Sequence, residues 1–151
     1  MARTWLQIRV ELLSGRDIVC EPPPGRIMMV GPRHTFAALA EAIDAAFARW
    51  DLGHLHGFEL ADGRLLGIRE AEMGDGWLDD DAVKVAATVS PGDEFVYTFD
   101  FGDDWRHRCL VLPDRVDPRE EYGPPPQGPV PLLGWGWIPD QYGRETFEDP
   151  E

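Results

Sequence analysis

Cysteine is scarce in this chain of 151 residues, with Cys20 and Cys109 as its two thiols. Two cysteines make neither a disulfide framework nor a zinc knuckle, and they suit a reduced, cytoplasmic protein. Long apolar runs are also absent. The opening residues from Trp5 to Val10 mix apolar and charged positions before any cleavage-site pattern, and no stretch approaches membrane-spanning length. Positive charge is short. Lys plus Arg number 14 against 28 Asp plus Glu, a formal net charge of −14. Phosphate backbones are bound by Lys and Arg that displace counterions, so this balance argues against direct nucleic-acid binding and for a protein partner with a basic surface. Catalytic signatures are missing as well: there is no phosphate loop, no Gly-x-Ser-x-Gly elbow and no dinucleotide fingerprint. Asp100-Phe101-Gly102 imitates the kinase magnesium motif, but its companion motifs are lacking.

The residues that are present organise one domain. Trp5, Ile8, Val10 and Leu12 alternate loosely with Arg9 and Glu11, which predicts a strand over residues 4–13. An extended segment at 26–30, set off by Pro22-Pro23-Pro24, pairs with it in a hairpin-like unit. Thr35 then caps a helix in which Phe36, Leu39, Ile43, Phe47 and Trp50 recur at helical spacing, with Glu41, Asp44 and Arg49 on its surface. Seven alanines between positions 37 and 48 strengthen that helix. A strand from His54 to Leu60 precedes a turn at Ala61-Asp62-Gly63-Arg64. Residues 69–82 are acidic and aperiodic, and predict a solvated loop. The strongest strand pair is 94–101 with 105–112, joined at Gly102-Asp103-Asp104.

From Pro113 onward the composition changes, because nine of the 14 prolines fall there and regular structure is not expected. Trp135 and Trp137 nevertheless argue that this segment packs back onto the domain. The resulting fold class is α+β: a mixed or mainly antiparallel sheet with one principal helix packed across it. The domain spans residues 1–112, and a Pro/Gly/Trp-rich tail occupies 113–151.

Candidate chemistry gathers around the strand pair. Phe95, Tyr97, Phe99 and Phe101 share one strand face and are read with Trp105 as core. Asp100, Asp103 and Asp104 cluster at the hairpin end, near His107. Turn capping explains carboxylates there, yet three of them beside a histidine and a tryptophan exceed what a turn needs. His54 and His56 stand two apart, which on a strand projects both imidazoles from one face. With His107 or an aspartate they make a donor set for a divalent metal such as zinc or iron. The candidate site is therefore His54, His56, Asp100, Asp103, Asp104, Trp105 and His107, placed where residues 54–58 approach the Gly102 hairpin.

Three blocks in order carry a resemblance. They are the helix into Trp50 followed by His54-Leu55-His56-Gly57-Phe58, then Gly92 to Tyr97, then Asp100-Phe101-Gly102-Asp103-Asp104-Trp105-Arg106-His107. The chain thereby resembles the Ri-plasmid ORF-3-like proteins, some of which ride as TnpR-like passengers on insertion elements. The resemblance covers roughly residues 4–112. It implies a compact α+β domain with a β-grasp-like start, and it brings no established activity. Pro22-Pro23-Pro24-Gly25-Arg26-Ile27 departs from the Pro-Pro-x-Trp-Arg-Arg of the family, and the tail lacks its cysteines. Two functions compete: a non-enzymatic binding or adaptor module associated with mobile elements, and a metal-dependent, hydrolase-like enzyme using the His/Asp cluster. Recombinase chemistry finds no nucleophilic serine beside an arginine cluster, and the charge has the wrong sign.

Overall fold

In β1 (Leu6–Gly15) the buried residues Leu6, Ile8, Val10 and Leu12 alternate with Gln7, Arg9 and Glu11, so one face turns to the core and the other to solvent. This computed structural model describes residues 3–68, 74, 76–121 and 123–144. Strands β2 (Ile18–Val19), β3 (Gly25–Val30), β4 (His56–Leu60), β5 (Leu65–Gly67), β6 (Trp77–Asp79), β7 (Glu94–Phe99), β8 (Trp105–Val111) and β9 (Val130–Trp135) complete one sheet. Its order is β6-β5-β4-β7-β8-β1-β3-β9, with the short β2 beside β1. All pairings are antiparallel except β5 with β6, which makes the sheet mixed.

Helix α1 (Phe36–Ala46) lies on one face of this sheet, and α2 (Pro118–Glu121) is a single turn. The Thr35 hydroxyl accepts the Ala38 N–H at 3.1 Å and caps α1. Phe36, Leu39, Ala40 and Ile43 are buried against the sheet, and the Phe36 ring meets those of Phe58 and Phe95 edge-on. The domain is single, as expected, but the sheet and not a principal helix dominates it. A β-grasp arrangement would return the chain from the helix to a place beside β1. Here β4 follows α1 and lies three places from β1, whose long neighbours β3 and β8 are both antiparallel to it.

Three residues depart from their expected places. Asp44 and Arg49, assigned to the helix surface, are buried at 6% and 8% exposure. The helix stops at Ala46, and Ala48 takes a positive φ of 61°, which swings Arg49 inward. Phe101, assigned to the core, is 44% exposed. Strand β7 ends at Phe99, and Asp100 at φ 62° breaks the alternation that would have carried Phe101 inward. Phe95, Tyr97, Phe99 and Trp105 are buried as the alternation predicts.

Part of the acidic loop over 69–82 is strand β6, while residues 69–73 and 75 lie outside the described set. The proline-rich segment forms β9, which pairs with β3. Further on, Gln141 accepts the N–H groups of Trp50 and Asp51 and donates to the Asp51 carbonyl. These bonds tie residues 140–144 to the loop after α1.

Candidate functional site

The hairpin turn is built around Asp100. Its Oδ1 accepts the N–H groups of Gly102 and Asp103, and its carbonyl accepts that of Asp104. Oδ2 remains for another partner, and His54 Nδ1 stands 3.5 Å from it. On the other side of the ring, Nε2 lies 2.6 Å from the Tyr142 hydroxyl, which donates to Asp51 Oδ2 at 2.8 Å. A polar chain Asp51–Tyr142–His54–Asp100 thus crosses from the loop after α1 to the hairpin. The bond to Asp51 pushes the Tyr142 phenol up to about 12 and holds the Asp51 carboxyl below its ordinary value.

The other predicted residues separate. His56 Nε2 meets Asp80 Oδ2 at 2.6 Å, a partner from the segment after β6. Asp103 faces Arg16 at 4.0 Å, and Asp104 faces Arg106 at 3.4 Å. Trp105 fills the core against Gly15, where an added Cβ would lie 2.1 Å from its ring. His107 is fully buried. Its Nδ1 donates to the Tyr97 carbonyl at 3.0 Å, so Nε2 accepts from Arg49 Nη2 at 2.9 Å. Both ring nitrogens of His107 are therefore engaged by the protein. The three histidines turn to three different partners, and among the described residues no three His, Cys, Asp or Glu side chains converge as metal ligands. The donor set does not fit the divalent metal that the sequence spacing offered.

His107 belongs to a buried polar network that the sequence reading missed. Asp44 Oδ2 accepts the Tyr97 hydroxyl at 2.9 Å, and Asp44 Oδ1 lies 3.6 Å from Arg49 Nη1. The Arg49 guanidinium is surrounded by the rings of Phe47, Phe99 and Trp105, each 5.5–5.6 Å away. Burial pushes the Asp44 carboxyl up to about 6, against the pull of Arg49 and Tyr97. Burial and the adjacent Arg49 charge hold His107 well below its ordinary value, so its imidazole is neutral. A neutral, enclosed imidazole locked by a guanidinium organises the interior and offers no path to a substrate. One signal for this network was legible: Asp44 stands four residues after buried Ala40, on the edge of the apolar stripe.

The opposite face of the same strands holds an open cleft of about 230 Å³. Register explains it. One row across the sheet reads Trp77, Leu65, Glu59, Val96, and the next reads Asp79, Gly67, Gly57, Thr98, Arg106. Gly57 lines the cleft without a side chain of its own, and the Trp77 and Phe101 rings border it, 6.4 Å apart at 72°. A Cβ on Gly57 would lie 2.9 Å from the Trp77 ring and 3.2 Å from Phe101, so both walls rest on that glycine. A glycine inside a strand pattern was the available sign. Its wall Trp77 came from the segment read as loop.

A family model described as plasmid pRiA4b ORF-3-like protein matches residues 4–126. The chain belongs to this family. In this ORF-3-like chain, two of the three blocks that carried the resemblance meet where His54 reaches Asp100, and Gly57 and Asp104 from the same two blocks line the cleft. No curated protein matches the chain. Among solved structures it is similar to the crystal structure of a protein of unknown function from Methanosarcina mazei Go1. That likeness has a TM-score of 0.68 at 23% identity and covers 86% of this chain and 68% of the other. At this identity it is a likeness of fold. Among the described residues, no helix is long and apolar enough to cross a membrane.

Proposed function

We propose that this protein is a non-enzymatic protein-binding module that engages a basic partner through the outer face of its sheet. One observation carries the reading: the cleft between Trp77 and Phe101 is open and aromatic-walled, on a chain of net charge −14. Exposed aromatic surface beside carboxylates suits a protein contact, and the charge speeds encounter with a basic partner while it repels phosphate backbones. The hairpin carboxylates and histidines have neighbours of their own in the chain, so they position loops and leave the open face to do the binding. Association with mobile elements, as an insertion-element passenger or otherwise, is supported by the plasmid in the family's name.

Fluorescence anisotropy tests the reading with three labelled probes: a short basic peptide, an acidic peptide of equal length and a short duplex DNA. The basic peptide should bind, weakening as salt rises, while the other two should not. Equal binding of the two peptides, or tighter binding of the duplex, would remove the proposal.

A further inference from the structure

We infer that the cleft is a pocket for one arginine side chain of the partner, whose guanidinium stacks on the Trp77 and Phe101 rings and pairs with Glu59. The inference rests on the protein-binding reading above and names the group that the face selects.

The protein's own chemistry points to this group. Arg144 stacks over Trp50 at 4.1 Å, and Arg9 over Trp135 at 4.9 Å. Trp50 and Trp135 are thus each covered by a guanidinium from within the chain, whereas Trp137, 75% exposed, has no cation over it among the described residues. Trp77 and Phe101 border a comparable surface, yet among the described residues no cation lies over either ring. Among the described residues, their one ring contact is with each other. The missing partner is of the same kind.

A carboxylate is in place for it. Glu59 lines the cleft, is exposed, and has no hydrogen bond or ion pair among the described residues, unlike Glu11, Glu94 and Asp104 on the same face. It occupies the row that runs Trp77, Leu65, Glu59 across β6, β5 and β4, so its side chain rises one strand beyond Leu65 from the indole. At the far end Arg106 adds a positive charge, but Asp104 meets it at 3.4 Å, which leaves Glu59 as the uncompensated charge of the pocket. Gly57 lets the two rings settle against the sheet, since a Cβ there would lie 2.9 Å from the Trp77 ring and 3.2 Å from Phe101.

Guanidinium is favoured over ammonium. It is planar, stacks on aromatic faces and gives up its hydration more readily, whereas an ammonium is a compact, strongly hydrated charge. A carboxylate beside the rings also matches the fork of N–H donors that arginine presents.

The test uses the whole chain and three short peptides that are identical except for one central residue: arginine, lysine or citrulline. Citrulline keeps the shape of arginine and removes its charge. NMR shift titration reads both affinity and place. The arginine peptide should bind about tenfold more tightly than the citrulline peptide and several-fold more tightly than the lysine one. Shifts should centre on Gly57, Thr98 and the Trp77 indole. Glu59→Gln and Phe101→Ala, both at exposed positions and checked for unchanged melting, should each erase most of the arginine preference. Equal affinity for arginine and citrulline, or a preference that survives both variants, would overturn the pocket. If the basic peptide of the anisotropy assay still binds in that case, the protein-binding reading stands without it. If no peptide binds at all, both fall.

Discussion

On the helix side of β4, β7 and β8 stand Phe58, Tyr97 and His107, and on the outer side of the same strands stand Gly57, Glu59, Thr98 and Arg106. The inner polar groups gather on one another: the Tyr97 hydroxyl donates to Asp44, Arg49 donates to His107, and Asp44 Oδ1 and Arg49 Nη1, neither hydrogen-bonded among the described residues, face each other at 3.6 Å. Among the described residues, the outer face leaves Glu59 without a hydrogen bond or ion pair and the Trp77 and Phe101 rings without a cation. A buried polar atom left alone carries a desolvation penalty that an exposed one does not, so the interior gathers its polar groups together, while the surface can leave such groups without a partner in the chain. Histidine and aspartate were the expected marks of function, yet inside the sheet they mark structure. A glycine and two aromatic rings line the open cleft.

The sharpest way to break this comparison is to remove the hub of the inner face. Arg49→Ala leaves the Asp44 charge buried without its partner and takes away the donor to His107, so chemical denaturation should show a loss of about 3–5 kcal/mol. A near-wild-type midpoint would mean that the network contributes little.

Two aromatics two residues apart test the same division. Phe99→Ala should destabilise by about 3–5 kcal/mol, because that ring is 1% exposed. Phe101→Ala should change stability by about 0.5 kcal/mol or less, because that ring lies on the open face. Similar melting of the two variants would contradict the reversal of direction at Asp100.

The smallest effect is a difference in pH slope. Below an ordinary 6.5 the unfolded His107 imidazole takes a proton that the buried one refuses, so its contribution to stability is lost as pH falls. Asp44 works oppositely. Its folded carboxyl protonates near 6 and its unfolded one near 3.8, so its contribution grows as pH falls through that window and is lost as pH rises through 6. Asp44→Asn should therefore lose stability more steeply on acidification than the wild type, and His107→Gln less steeply. Each difference is bounded at about 1.4 kcal/mol per pH unit for one proton. Urea midpoints from neutral pH down to about 4 measure it. Parallel slopes in all three proteins would show that neither group titrates as its surroundings require.

Most of the strand faces, the Thr35 cap and the amphipathic stripe of α1 were legible in the residue pattern, because period and capping are local properties. Alternation along β7 and β8 placed Phe95, Tyr97, Phe99 and Trp105 inside without any knowledge of neighbours. Partner choice was beyond it. His54 and His56, two residues apart, end on Tyr142 and Asp80, which lie 88 and 24 residues away in the chain. Arg49 turned inward because of one positive φ at Ala48, and Phe101 turned outward because of another at Asp100. The cleft needed Trp77 brought alongside Leu65 by a parallel pairing that no periodicity encodes. Periodicity reports which way a side chain points, whereas a site depends on what stands opposite it, and that is set by register between segments distant in the chain.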